Sequence, residues 1–141
     1  MTFFKPWIAA AVFVLAGAAH AQTAPLYQSL GEKPGIAALA SDFVDRLKAN
    51  PRIGKMFDNI KPAYLKEQFT DQFCELSGGP CKYDGETMKN SHAQLAIDKA
   101  QFNLVVEILQ GTMDARGIPF TAQNQLLAKL APMHREIITV E

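Results

Sequence analysis

Apolar residues recur at steps of three and four along most of this chain, and no useful length alternates apolar with polar. That is the period of helices with one buried face, and it predicts about five or six of them. LYQSLGEKPG reads as a half-turn or short helix ended by Gly31. Pro34 opens the first long helix, and Asn50-Pro51 closes it because the residue before a proline avoids the helical region. Ile36, Leu39, Phe43, Val44 and Leu47 are its core stripe. A connector bearing Met56 and Phe57 leads to a helix begun by Pro62, with Leu65, Phe69 and Phe73 on one face. Gly78, Gly79 and Pro80 stop that helix. Residues 86–93 are predicted as a short helix carrying Met88 and His92. Asp98 then caps a long helix with Phe102, Val105, Val106, Leu109 and Met113 turned inward and Gly117 at its end. Thr121 is the expected cap of the last helix, in which Leu126, Leu127, Leu130, Met133 and Ile137 face the core and Pro132 makes a kink. The fold class is all-α.

The first 21 residues have a different pattern. Lys5 is their only charge, the run from Trp7 to Ala19 is uninterrupted apart from its small residues, and Ala19-His20-Ala21 has the small-x-small form of a cleavage site. A helix that spans a bilayer needs about 20 apolar residues, more than this run supplies. Residues 1–21 are therefore expected to be a signal peptide cut before Gln22, and residues 22–141 a single domain; an uncleaved anchor is the alternative. Both place the domain outside the cytoplasm, in the periplasm.

Composition narrows the partners. The chain has 14 basic and 14 acidic residues, and the leader carries away one basic residue. This balance offers no electrostatic case for nucleic acid or an anionic membrane. Cys74 and Cys81 are the only cysteines, and an exported chain can oxidise them. The loop they would close is short, worth less than the ~3 kcal/mol of a 15-residue loop. Spacing leaves open whether the pair is joined. It matches no common zinc pattern, and no C-x-x-C-H motif exists for covalent c-type heme attachment.

The stretch Tyr64–Leu95 holds the candidate chemistry: an aromatic helical face, a glycine loop and then His92. Taken alone, His92 reads as a surface histidine and the phenylalanines as ordinary core. Together they suit a flat apolar cofactor held between two helices. Neutral imidazole is a good iron ligand whose second nitrogen needs an acceptor to orient the ring.

LYQSLG, DFVDRL, the Phe57 connector, LKEQFTDQF, GGPCKYDG, M-x-x-x-H and the helix near Phe102 together resemble the group 1 truncated hemoglobins, from about Leu26 to Ile138. The resemblance implies a truncated globin two-over-two helical sandwich around non-covalent heme b. It implies His92 as the proximal iron ligand and Phe57 as the ring packed on the heme. Leu65, Phe69 and Phe73 would roof the distal side, Tyr83 and Met88 would sit beside the heme edge, and Phe102 and Val105 would line the pocket. His134, in PMHRE, matches a histidine that some members attach to the heme; an exposed surface histidine is the plainer reading.

The sequence departs from that family on the distal side. Many members have a tyrosine donor where this chain has Val44, and a polar residue, typically Gln, where it has Phe69. A hydrogen bond to a charged partner is worth about 1.5–3 kcal/mol, or one to two decades in affinity. The expectation is an apolar distal pocket that releases O2 quickly. Gln68 and Gln72 lie on or next to the same face as Leu65 and are candidates to reach into the distal pocket, a solvated surface role being the plainer reading.

Three functions follow. The first is a heme protein binding O2, NO or CO, for oxygen or NO binding, transport or detoxification, as a monomer or weak dimer. The second is a periplasmic heme enzyme, an NO dioxygenase or peroxidase-like, which would need a separate electron donor because no flavin or nicotinamide motif is present. The third is a small helical protein whose pocket takes another apolar ligand. No catalytic side chain is assigned.

Overall fold

The computed structural model of the chain describes residues 24–141, so the expected leader and its cleavage position lie outside the described residues. Among the described residues all regular structure is helical, and no helix is long and apolar enough to cross a membrane. The order is α1 (Leu26–Ser29), α2 (Glu32–Ala49), a 3-10 turn (Gly54–Phe57), α3 (Pro62–Leu76), α4 (Met88–His92), α5 (Lys99–Ala115), α6 (Phe120–Leu130), a second 3-10 turn (Ala131–Met133) and α7 (His134–Ile137).

The long helices form two layers. α2 packs along α3, α5 packs along α6, and α2 crosses onto α5. Ile36, Leu39, Phe43 and Leu47 of α2 meet Phe73 of α3, Leu109 and Met113 of α5 and Leu126 of α6 in one buried cluster. This is the two-over-two helical sandwich.

Several helix ends differ from expectation, each for a local reason. α2 begins at Glu32 rather than Pro34. Gly31 and Glu32 turn the chain through the left-handed region, at φ +84° and +57°. The Tyr27 hydroxyl then accepts the Lys33 amide at 3.0 Å, supplying the acceptor that a cap residue would otherwise provide. Gly35 permits the close crossing, since a Cβ there would run into the Leu30 carbonyl oxygen. α6 starts at Phe120, so Thr121 is not its cap. The Pro119 carbonyl accepts the amides of Ala122 and Gln123 at 2.9 and 3.0 Å, which sets the start two residues earlier. The expected kink at Pro132 is a full break: α6 ends at Leu130, a 3-10 turn carries the proline, and α7 follows. Asp98 caps α5 as anticipated, in a capping box with Gln101: each side chain accepts the other's amide, at 2.7 and 3.0 Å.

Cys74 and Cys81 are joined, with Cα atoms 5.6 Å apart. The bond ties the end of α3 to the loop that leads into α4. Gly79 lies in the same corner, where a Cβ would meet the Tyr27 ring at 2.5 Å and the Cys74 Sγ at 2.7 Å. Closing so short a loop is worth about 2.5 kcal/mol by the loop-entropy relation. Thiol reduction, or Cys74→Ser with Cys81→Ser, is therefore expected to lower stability by about 2 kcal/mol. Denaturant titration with and without reductant measures the loss, and equal midpoints would refute it.

Candidate functional site

Between the α2–α3 layer and the α4–α5 side lies a cavity of about 470 Å³, inside the ~300–1,000 Å³ range of ligand clefts. α3 supplies Leu65, Phe69 and Phe73 to one wall, at the four-residue steps that the sequence shows. Phe43 of α2 backs them. Its ring meets Phe69 edge-on at 5.0 Å and lies 6.2 Å from Phe73. Phe102 and Val105 of α5 line the other wall; they and Val106 are only half-buried, because the face predicted as core opens onto the cavity. Phe57 reaches in from the first 3-10 turn, which Lys48 Nζ secures by donating to the Phe57 carbonyl at 2.7 Å.

His92 also lines the cavity. Thr87 caps the short helix that carries it, accepting the Asn90 amide at 3.1 Å. The His92 Nδ1 lies 2.7 Å from the Met88 carbonyl oxygen and 2.9 Å from the Ser91 hydroxyl. A carbonyl can only accept, so the bond to Met88 places a proton on Nδ1 and leaves Nε2 with its lone pair. That is the arrangement of a metal-binding imidazole with its second nitrogen anchored. Among the described residues no three of His, Cys, Asp or Glu converge on one point.

Tyr83 and Met88 stand at the cavity edge, as the motif implies. The Tyr83 hydroxyl donates to the Glu86 carbonyl at 2.7 Å. Burial, followed by the neighbouring Tyr64 and Glu86 charges, raises its pKa above the usual phenol value. Gly85 fits beneath it only because it lacks a Cβ, which would meet the Tyr83 hydroxyl at 2.8 Å and collide with Gln68 Oε1.

Four placements bear on the readings that the sequence left open. Val44 is fully buried but does not line the cavity; it lies one residue on from Phe43, about 100° around the helix, and Phe43 holds the wall. His134 is exposed and outside the lining, with Nδ1 2.8 Å from the Ala131 carbonyl oxygen and its ring edge-on to Phe102. The break at Pro132 turns it away. Gln68 and Gln72, the candidates to reach into the distal pocket, both line the cavity. Gln72 is buried, and its Nε2 has only the sulfurs of Met88 and Met133 nearby, at 3.6 and 3.7 Å. Gln68 Oε1 is buried without a hydrogen-bond partner. The wall is thus apolar with two under-used amides. Ser91, Leu95, Ile97 and Met133 complete the lining near His92 and Gln72. Of these only Met133 was marked, by its helical spacing; the others sit in a short helix and loop without a period to reveal them.

The residues fit a heme. A flat apolar body has aromatic and aliphatic walls on both sides, and one imidazole presents a free lone pair. The comparisons agree. A group 1 truncated hemoglobin of Mycolicibacterium paratuberculosis is 28% identical over 128 residues, covering 91% of this chain and 94% of that protein. One of Tetrahymena pyriformis is 26% identical over 100 residues, covering 71% and 83%. The crystal structure of the Tetrahymena pyriformis truncated hemoglobin in its Fe(III) form superimposes with a TM-score of 0.76 at 23% identity, covering 80% of this chain and 97% of that one. A Synechococcus 2/2 hemoglobin, in the cyanomet state with covalently attached heme, gives 0.76 at 19% identity, covering 82% and 98%. The bacterial-like globin family matches residues 25–139. This chain therefore belongs to the bacterial-like globins, and its cofactor is heme with its iron.

Proposed function

We propose that this globin is an exported heme b protein that binds O2, NO or CO at an iron held by His92, for oxygen or NO binding, transport or detoxification. Heme-based gas binding belongs to the family as a whole; the ligand set, the residue roles and the compartment are our reading. The observation that carries it is the His92–Met88 hydrogen bond, which leaves Nε2 as the available donor on a ring in the cavity wall. When bound, heme supplies an iron with one position for the imidazole and one for a diatomic gas.

The chain does the rest. Phe57, Leu65, Phe69, Phe73, Phe102 and Val105 exclude water and hold the macrocycle by contact. Met88 fills the edge beside His92, and Tyr83 closes the rim through its bond to Glu86. Gln72 is the one buried side chain in the lining with N–H groups and only weak sulfur acceptors. We assign it, with Gln68 beside it, the polar role that Val44 and Phe69 cannot fill. His134 stands outside the wall, which supports a heme held without a covalent bond to it. Residues 1–21 as a leader and the Cys74–Cys81 bond both suit an oxidising compartment, the periplasm. The enzyme reading gains from the same amides, because distal polarity helps choose between gas binding and oxygen chemistry. It requires an electron donor, and steady-state NO consumption with added reductant distinguishes the two.

Expected outcomes follow for the full chain expressed with its leader. The periplasmic fraction should contain a protein starting at Gln22, with a Soret band that shifts on CO addition and heme that acid–butanone extracts completely. His92→Ala should lose most of that band at equal protein; an unchanged spectrum would remove His92 from the iron. Gln72→Leu should raise the O2 dissociation rate by about tenfold, the worth of one charge-assisted hydrogen bond, with a smaller effect on CO. An unchanged O2 rate would return the pocket to the purely apolar reading.

A further inference from the structure

We propose that the segment following α7 positions His92: Thr139 and Val140 clasp the α4–α5 loop at Ile97, and the clasp determines where the imidazole stands in the cavity. The inference rests on His92 holding the iron.

α4 has five residues and His92 is its last, so its own ladder does little to fix the ring. The chain then bends sharply. Leu95 donates its amide to the His92 carbonyl at 3.1 Å, and Ala96 sits at φ +49°, in the left-handed region that an alanine adopts only under constraint. Ile97 comes next, buried and in the cavity wall. Its carbonyl accepts the amides of Thr139 and Val140 at 2.9 and 3.2 Å, and its own amide donates to the Thr139 hydroxyl at 3.1 Å. Both backbone groups of one residue, five positions after His92, are thus satisfied by a segment more than forty residues away.

Thr139 and Val140 are themselves exposed, so these bonds are not a by-product of core packing. Beside them lies an open crevice of about 390 Å³, lined by Lys89, Ala93, Arg135, Glu136, Ile138 and Thr139, at the edge of the seam where α4 and α7 touch. The polar clasp adds three hydrogen bonds to that seam, directed at the loop rather than at α4 itself. It holds the left-handed bend at Ala96, and the bend determines how the end of α4 faces the cavity. Asp98, directly after Ile97, anchors the other side of the loop through the α5 capping box.

The test uses the full chain and compares wild type with Thr139→Val, which removes the acceptor at nearly constant shape, and Thr139→Ser, which restores it. Three quantities are read: hydrogen exchange at the Ile97 amide in the apoprotein, the iron–imidazole stretching band of the ferrous protein, and the rate of hemin transfer to a scavenging apoglobin. In Thr139→Val, exchange at Ile97 and hemin loss should each rise about three- to tenfold, the worth of one hydrogen bond, and the band should shift or broaden. Thr139→Ser should return all three to wild type. Faster exchange with an unmoved iron–imidazole band would overturn the proposal, because the clasp would then be structural only. An Ile97 amide unaffected by Thr139→Val would overturn it as well. A wild type that takes up no heme refutes instead the function proposed above; the clasp is then judged in the apoprotein, where unmoved His92 ring resonances in Thr139→Val overturn it.

Discussion

The hydrogen bond from His92 Nδ1 to the Met88 carbonyl decides the chemistry available in this protein. It selects the tautomer, and with it the nitrogen that can bind iron. A five-residue helix cannot hold such a ring by itself, so the surroundings of α4 matter more than its own ladder. Thr87 caps its start, the loop before it is tied back to α3 by the Cys74–Cys81 bond, and the loop after it is held at Ile97. These restraints act together on the one imidazole in the cavity wall.

The cavity itself is the second constraint. Its walls between α3 and α5 are aromatic and aliphatic, a surface that a flat apolar ligand covers and that water does not stabilise. Heme is then part of the hydrophobic core. The distinction between core phenylalanine and cofactor-binding phenylalanine has little physical content for Phe69, Phe73 or Phe102.

The distal wall combines two tendencies. Phe43, Phe69 and Phe73 form an interlocked aromatic face that excludes water. Gln68 and Gln72 place amides against that face with few protein partners. A buried amide without a full partner is costly, and is retained where a ligand can use it. On the function proposed above, α3 carries the distal polar group that the family resemblance would put on α2.

The order of the helices and their apolar faces were legible in the residues alone, and His92 became a candidate only through the motif around it. Helical period, proline and glycine stops, and the Asp98 cap are local properties, and local physics is nearly the same in the sequence as in the fold. What the linear pattern could not decide depended on contacts between distant segments. Tyr27 capping α2 moved its start to Glu32. The rotation of α2 about its own axis put Phe43, not Val44, on the cavity. Gly85 against Gln68, and Met88 and Met133 against Gln72, drew these two side chains out of solvent. Only the tertiary structure brought Thr139 to Ile97, because a hydrogen bond across that separation leaves no periodic trace in the chain.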